Sequence, residues 1–373
     1  SALHLAASVP APSAGTARRP RAGIVGWNSP RFMESHGELL RIFKEKVAAR
    51  GLEPVFLGIS GGSDVISTCG SDSAKSESSS SHPAHNGHGT AASLAHYWLP
   101  SRDIVADQIE LLTHEEQLSV LVMVPWSVHS LVGMQMAAAR CGVPTLFLPC
   151  YCAWPTIGKD DSHSAEKKAM IAGIPYSHCA MLFLSEVLGL SRMGTMDRFL
   201  KDLKEKDKKS SKPAAENVSG LNEDTAEMLD WAAQRCADIE LHKVTPRRFF
   251  SQAAFHNAIC VDLALGGSAE SVLHLTALAR ESGVPLPLSG FNEQAKQVHS
   301  LAHMDRNGEF TIGDFMQWGG LSGLVGVLRT SLQAAPTISG KNIFELSKDF
   351  AGLKSQFRLN HTYKKHESLA VFS

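Results

Sequence analysis

The chain has 373 residues, 43% of them hydrophobic, and a formal net charge of −1. That length suffices for one large domain or two smaller ones, and a balance so near zero gives no electrostatic reason to bind nucleic acid or an acidic membrane surface. No apolar run approaches the ~18 residues that span a bilayer. Seven scattered cysteines (Cys69, Cys141, Cys150, Cys152, Cys179, Cys236 and Cys260) make no secreted disulfide framework. Cys150 and Cys152 are the only close pair. They read as thiols at a strand end, because an isolated cysteine usually behaves as a small buried hydrophobe.

In chain order, residues 1–32 carry Arg18, Arg19, Arg21 and Arg31 and no acidic residue. Such a composition suits import into an organelle or, alternatively, a solvated tail. The chain begins without Met, as the remainder of a processed leader would. Residues 1–22 are expected to be a flexible extension. Residues 22–26 predict a strand, residues 38–50 a helix stopped at Gly51, and residues 54–57 a second strand. A helix follows over 102–112, with Ile104, Val105, Ile109 and Leu112 on one face. Residues 120–124 form a buried-type strand, 131–140 a helix and 145–148 another strand. Strands alternating with helices imply right-handed crossovers and a mostly parallel sheet covered on both faces.

Two polar insertions interrupt the alternation. Residues 71–88 are low in complexity and cannot bury enough surface to offset their chain entropy. Residues 201–222 begin as a Lys/Asp/Glu run and read as a solvated hinge rather than a nucleic-acid patch, since acids are interleaved and aromatics are absent. Residues 225–238 are helical. Residues 255–283 then hold an apolar helix, a Gly266-Gly267-Ser268 break, and a second helix through Val272, Leu273, Leu275 and Leu278.

Weaker signals resolve into ordinary structure. His303 to Asp314 has the glycine of a calcium loop at Gly308, but a histidine where the first carboxylate belongs, so it reads as a polar turn. His82, His85 and His88 sit in a polar loop that would be expensive to organise around zinc. Ser60, Gly61 and Gly62 lack the spacing of a phosphate loop. His129 beside Ser127 and Ser130 offers a nucleophile pair with no third orienting group.

Several fragments, in order, resemble the dihydroxy-acid and phosphogluconate dehydratase family. Leu99-Pro100-Ser101-Arg102-Asp103 is similar to its LPSRE helix start, with Ser101 as the expected N-cap. Gly133-Met134-Gln135-Met136-Ala137-Ala138 is similar to its GMLMAA helix, and Leu188-Gly189-Leu190-Ser191 to its GLSLPG turn. Pro246-Arg247-Arg248 through Asn257-Ala258-Ile259 resembles the PRDILTREAFENAI segment, the Gly266-Gly267-Ser268 break its LGGSTN turn, and Thr337 to Lys341 its TGKTL segment. The resemblance implies a three-layer α/β/α sandwich over residues 23–345. Residues 346–373 would be a tail or the start of a β-barrel domain, either lost or lying outside this sequence.

The resemblance also implies an iron–sulfur cluster held by thiolates, a magnesium ion on a carboxylate and a carbamylated lysine, and loss of water from a dihydroxy acid. Here the family's GGCDK run is replaced by Pro125-Trp126-Ser127-Val128-His129. Ser127 then stands for a cluster cysteine, Val128 for the metal-binding aspartate and His129 for the carbamylated lysine. Ala172 stands near a second cysteine position, Cys179 lies seven residues further on, and the loop from Trp27 to His36 has no cysteine for the third. The SDG loop survives only as Ser63-Asp64-Val65. Asp64, Ser127, Val128, His129 and Ala172 are therefore expected to be vestigial positions, with no catalytic residue, metal or cofactor retained.

The expectation is a catalytically silent dehydratase-like structural subunit of a mitochondrial assembly, a ribosome or respiratory complex, with a cytoplasmic location as the alternative. Its partners would be other protein subunits, as a homodimer or hetero-oligomer, with RNA met only indirectly through a ribonucleoprotein host. Two other readings stay open: a divergent hydro-lyase using Asp64, His129 and Cys179, and a sensor that keeps a sugar-acid cleft without chemistry.

Overall fold

The computed structural model describes residues 18–61, 98–148, 180–197, 223–298, 300–302, 304 and 312–350. The first apolar run forms β1 (Arg21–Trp27), in which Ala22, Ile24 and Val25 have no exposed surface. It lies inside a four-stranded sheet with β2 (Glu53–Ile59), β3 (Val120–Met123) and β4 (Thr145–Phe147). The order is β2-β1-β3-β4 and every pair is parallel, with Ile24 level with Phe56 on one side and Val122 on the other. β3 and β4 are buried at every residue, as continuous apolar runs must be when helices cover both faces of a sheet.

The crossover helices are α1 (Pro30–Ala48), α2 (Trp98–Glu115) and α3 (Val128–Cys141). The chain steps from β1 outward to β2, returns past β1 to β3, and continues to β4. Right-handed crossovers that reverse direction put their helices on opposite faces. Accordingly, α1 packs on α5 (Glu223–Leu241), which touches β3 and β4, while α2 packs on α3. This is the three-layer α/β sandwich that the sequence predicted. The reversal creates a switch point at the carboxyl ends of β1 and β3, where ligands of open α/β sheets usually bind.

The α2–α3 contact is close because Gly133 has no side chain: a Cβ there would lie 2.5 Å from the Arg102 carbonyl oxygen. The remaining helices extend the core: α4 (Ala180–Val187), α6 (Gln252–Ala264), α7 (Ala269–Glu281), α8 (Leu288–Ala295), α9 (Ile312–Gln317), α10 (Gly320–Val327) and α11 (Ile343–Phe350). α4 is buried throughout, and Phe183 within it meets Phe315 edge-on at 5.4 Å. Gly266 and Gly267, at φ 106° and 72°, make the break between α6 and α7, after which Ser268 caps α7 by accepting the Ser271 N–H. α7 then packs against α3.

Two local expectations need correction. Ser101 is not an N-cap, because α2 begins at Trp98 and Ser101 lies within it. The helix predicted from residue 38 begins at Pro30, whose fixed φ and missing N–H suit a first helical position. The insertions at 71–88 and 201–222 and the tail after residue 350 lie outside the described residues.

Candidate functional site

The switch point is built by the end of β1 and the turn from β3 into α3. Trp126, in that turn, stacks on Trp27 with ring centroids 6.0 Å apart and planes 10° from parallel. Ser127 is the N-cap of α3: its hydroxyl accepts the Ser130 N–H at 2.9 Å, and Ser130 Oγ accepts the Ser127 N–H at 2.9 Å. This reciprocal box satisfies two N-terminal amides of the helix. Ser130 Oγ also accepts the Trp126 N–H and donates to the Ser127 carbonyl. Both hydroxyls are thus engaged in capping α3. Val128, the first residue of α3, is buried in the apolar core and carries no donor atom.

His129 meets a group that sequence reading did not single out. Its Nε2 lies 4.0 Å from Glu270 Oε1, and His274 Nε2 lies 3.7 Å from the same oxygen. The two imidazoles meet edge to face with centroids 5.5 Å apart. Glu270 and His274 are four residues apart in α7, so they share one helix face. That spacing was the available signal; it was masked by the apolar residues between and after them. Arg102 Nη1, from α2, donates to His274 Nδ1 at 3.3 Å. His274 has no exposed surface, and its Nε2 has no hydrogen-bond partner among the described residues. Burial, partly opposed by Glu270, holds the His274 pKa below the usual imidazole value, so the ring is neutral.

Of the positions predicted from sequence, the structure brings Ser127, Val128 and His129 together at the head of α3. Asp64, Ala172 and Cys179 lie outside the described residues, as do Cys69, Cys150, Cys152 and His303. The described thiols are Cys141, Cys236 and Cys260, and burial pushes them up to about 11, 12 and 12. They are protonated at neutral pH, as inert structural cysteines are.

A family model described as the dihydroxy-acid/6-phosphogluconate dehydratase N-terminal domain matches residues 76–172 and 179–346. The chain belongs to this dehydratase family. Among its relatives, a dihydroxy-acid dehydratase of Citrifermentans bemidjiense is 30% identical over 292 residues, covering 74% of this chain and 52% of the relative. One from Geobacter metallireducens is 32% identical over 266 residues, covering 68% and 47%. One from Thermodesulfovibrio yellowstonii is 26% identical over 339 residues, covering 83% and 54%. The chain therefore spans about half the length of the curated relatives it matches.

The donors described at the head of α3 in this dehydratase-family chain do not fit the family's metal groups. An iron–sulfur cluster takes thiolates. Ser127 offers instead a hard hydroxyl already committed to the helix cap. Magnesium takes carboxylate oxygens, and Val128 has none.

Proposed function

We propose that this dehydratase-family chain is catalytically silent and serves as a folded subunit of a larger mitochondrial assembly, a ribosome or a respiratory complex. The observation that carries the silent reading is the composition of the switch point. Stacked Trp27 and Trp126 stand at the carboxyl ends of β1 and β3, Ser127 caps a helix, and buried Val128 presents only methyl groups. In the family pattern those last two positions hold a cluster cysteine and a metal-binding aspartate. The Ser268 cap of α7 and the close-packing Gly133 persist, so ligands have changed on a scaffold that still folds. The acid-free residues 1–20, with Arg18 and Arg19, support the mitochondrial location. The partners are other protein subunits, as a homodimer or hetero-oligomer, and RNA enters only through a ribonucleoprotein host. Among the described residues no helix is long and apolar enough to cross a membrane.

The test is to isolate the chain in its native state, size the particle it travels with, and measure iron, acid-labile sulfide and dehydration of dihydroxy and sugar acids. The expected result is a large particle with no turnover and no cluster. Stoichiometric iron and sulfide with turnover would replace this reading with a second one, a divergent hydro-lyase, which the dehydratase names of the relatives favour.

A further inference from the structure

We propose that His129, Glu270 and His274 form a site for one transition-metal dication of the zinc class, built across the contact between α3 and α7. Two imidazole nitrogens and one carboxylate oxygen lie within 4.8 Å of one another. The individual separations of 3.7 and 4.0 Å to Glu270 Oε1 are too long for hydrogen bonds. They are a few tenths of an ångström longer than the roughly 3.3–3.5 Å between donors that share a tetrahedral zinc with ~2.0–2.1 Å bonds. Small side-chain rotations would close the set around an ion.

A second observation points the same way. His274 Nε2 is fully buried, faces this cluster and lacks a hydrogen-bond partner among the described residues. A buried polar atom in that state is costly and calls for a missing partner. A dication supplies one when the ring proton moves to Nδ1 and frees the Nε2 lone pair. Glu270 is partly exposed, which opens a path from solvent. Two imidazoles with one carboxylate suit zinc, cobalt or nickel; magnesium and calcium prefer all-oxygen shells.

Arg102 opposes the ion. By donating to His274 Nδ1 it places the ring proton on Nε2, the atom that must ligate. Metal binding reverses the tautomer and turns Nδ1–H toward a guanidinium, where a well-tuned site would place a carbonyl or carboxylate. The site is therefore weaker than one with a supporting acceptor, and Arg102→Gln, whose amide oxygen accepts Nδ1–H, should tighten it.

This inference does not rest on the silent-subunit reading, since an ion here needs no reaction. Its test uses the full chain, stripped with a chelator and titrated with cobalt(II) alone, followed by visible absorption and equilibrium dialysis. One cobalt per chain is expected, with the strong visible bands of a tetrahedral centre, displaced by zinc. His129→Ala and Glu270→Gln should each lose at least tenfold in affinity, and Arg102→Gln should gain severalfold. Glu270 lies at the surface of its helix, so Glu270→Gln should keep the wild-type melting temperature and circular dichroism even if a change at buried His274 does not. Substoichiometric cobalt on folded wild-type chain, or cobalt bound equally by Glu270→Gln, overturns the site. No gain in Arg102→Gln overturns His274 as a ligand through Nε2. Turnover does not enter this readout, so the site and the silent reading fail separately.

Discussion

Glu186 has no exposed surface, yet it accepts the Gly194 N–H at 2.7 Å and the Met196 N–H at 2.6 Å. Asp197 nearby accepts from the Leu321 and Ser322 amides and from the Ser322 hydroxyl. Burial, helped by the Asp197 charge, pushes the Glu186 carboxyl well above its ordinary 4.5, and burial also raises Asp197. A carboxyl raised in the folded state stabilises the fold while protonated, and that contribution is lost as pH rises through its folded value. Thermal melts should therefore show stability from these groups at acid pH that declines as pH climbs from about 4.5. Glu186→Gln should flatten the slope. It should also cost about 1–3 kcal/mol in urea unfolding, because one amide oxygen cannot serve both N–H donors. Neither residue could be singled out from sequence: Glu186 sits in an apolar helix, and its acceptor role depends on a turn whose geometry is set by tertiary packing.

Elements were more legible than their ends. The inner strand β3 and its neighbour β4 declared themselves because both faces are covered, so each reads as an uninterrupted apolar run. The Gly266-Gly267-Ser268 break was legible because positive φ and capping each demand a residue type. The start of α1 was missed because its first turns mix polar and apolar residues, and Ser101 misled because a capping residue can also lie inside a helix. Register between elements depends on close approaches that one sequence does not display, of which Gly133 is an example. Gly133→Ala would press a methyl group against the Arg102 carbonyl at 2.5 Å and Val105 at 2.8 Å. Forcing α2 from α3 should cost about 1–3 kcal/mol, measured as a lower urea midpoint. Arg140 holds the same corner from outside, with Nε and Nη2 on Glu281 of α7 and Nη1 on Asp107 of α2. Its hydrogen bonds hold the Glu281 carboxyl below its usual value, so this contribution is lost as pH falls through that lowered value. Partial exposure and screening limit Arg140→Met to about 1 kcal/mol, read as a shift in urea midpoint that shrinks in acid.

At the scale of the whole molecule, strand order decides where chemistry would occur, and the residues there decide whether it does. Order could not be read from one sequence, because alternating strands and helices fit several windings. The resemblance supplied the family, and it drew attention to Ser127, Val128 and His129; the partners of His129 emerged only when α7 packed against α3. Restoring the family's residue at Val128 probes the outcome. An aspartate at the first position of α3 would gain about 0.3–1 kcal/mol from the helix dipole. Val128 is buried among apolar residues, and desolvating a carboxylate there costs several kcal/mol. Desolvation outweighs the dipole, so Val128→Asp should lose on the order of 2 kcal/mol and melt several degrees lower. Magnesium should not restore the melting temperature, since the next residue is a histidine and the preceding hydroxyl is spent on the helix cap. A variant that magnesium stabilises would mean that the head of α3 still gathers oxygen ligands, and the silent reading would lose its main support.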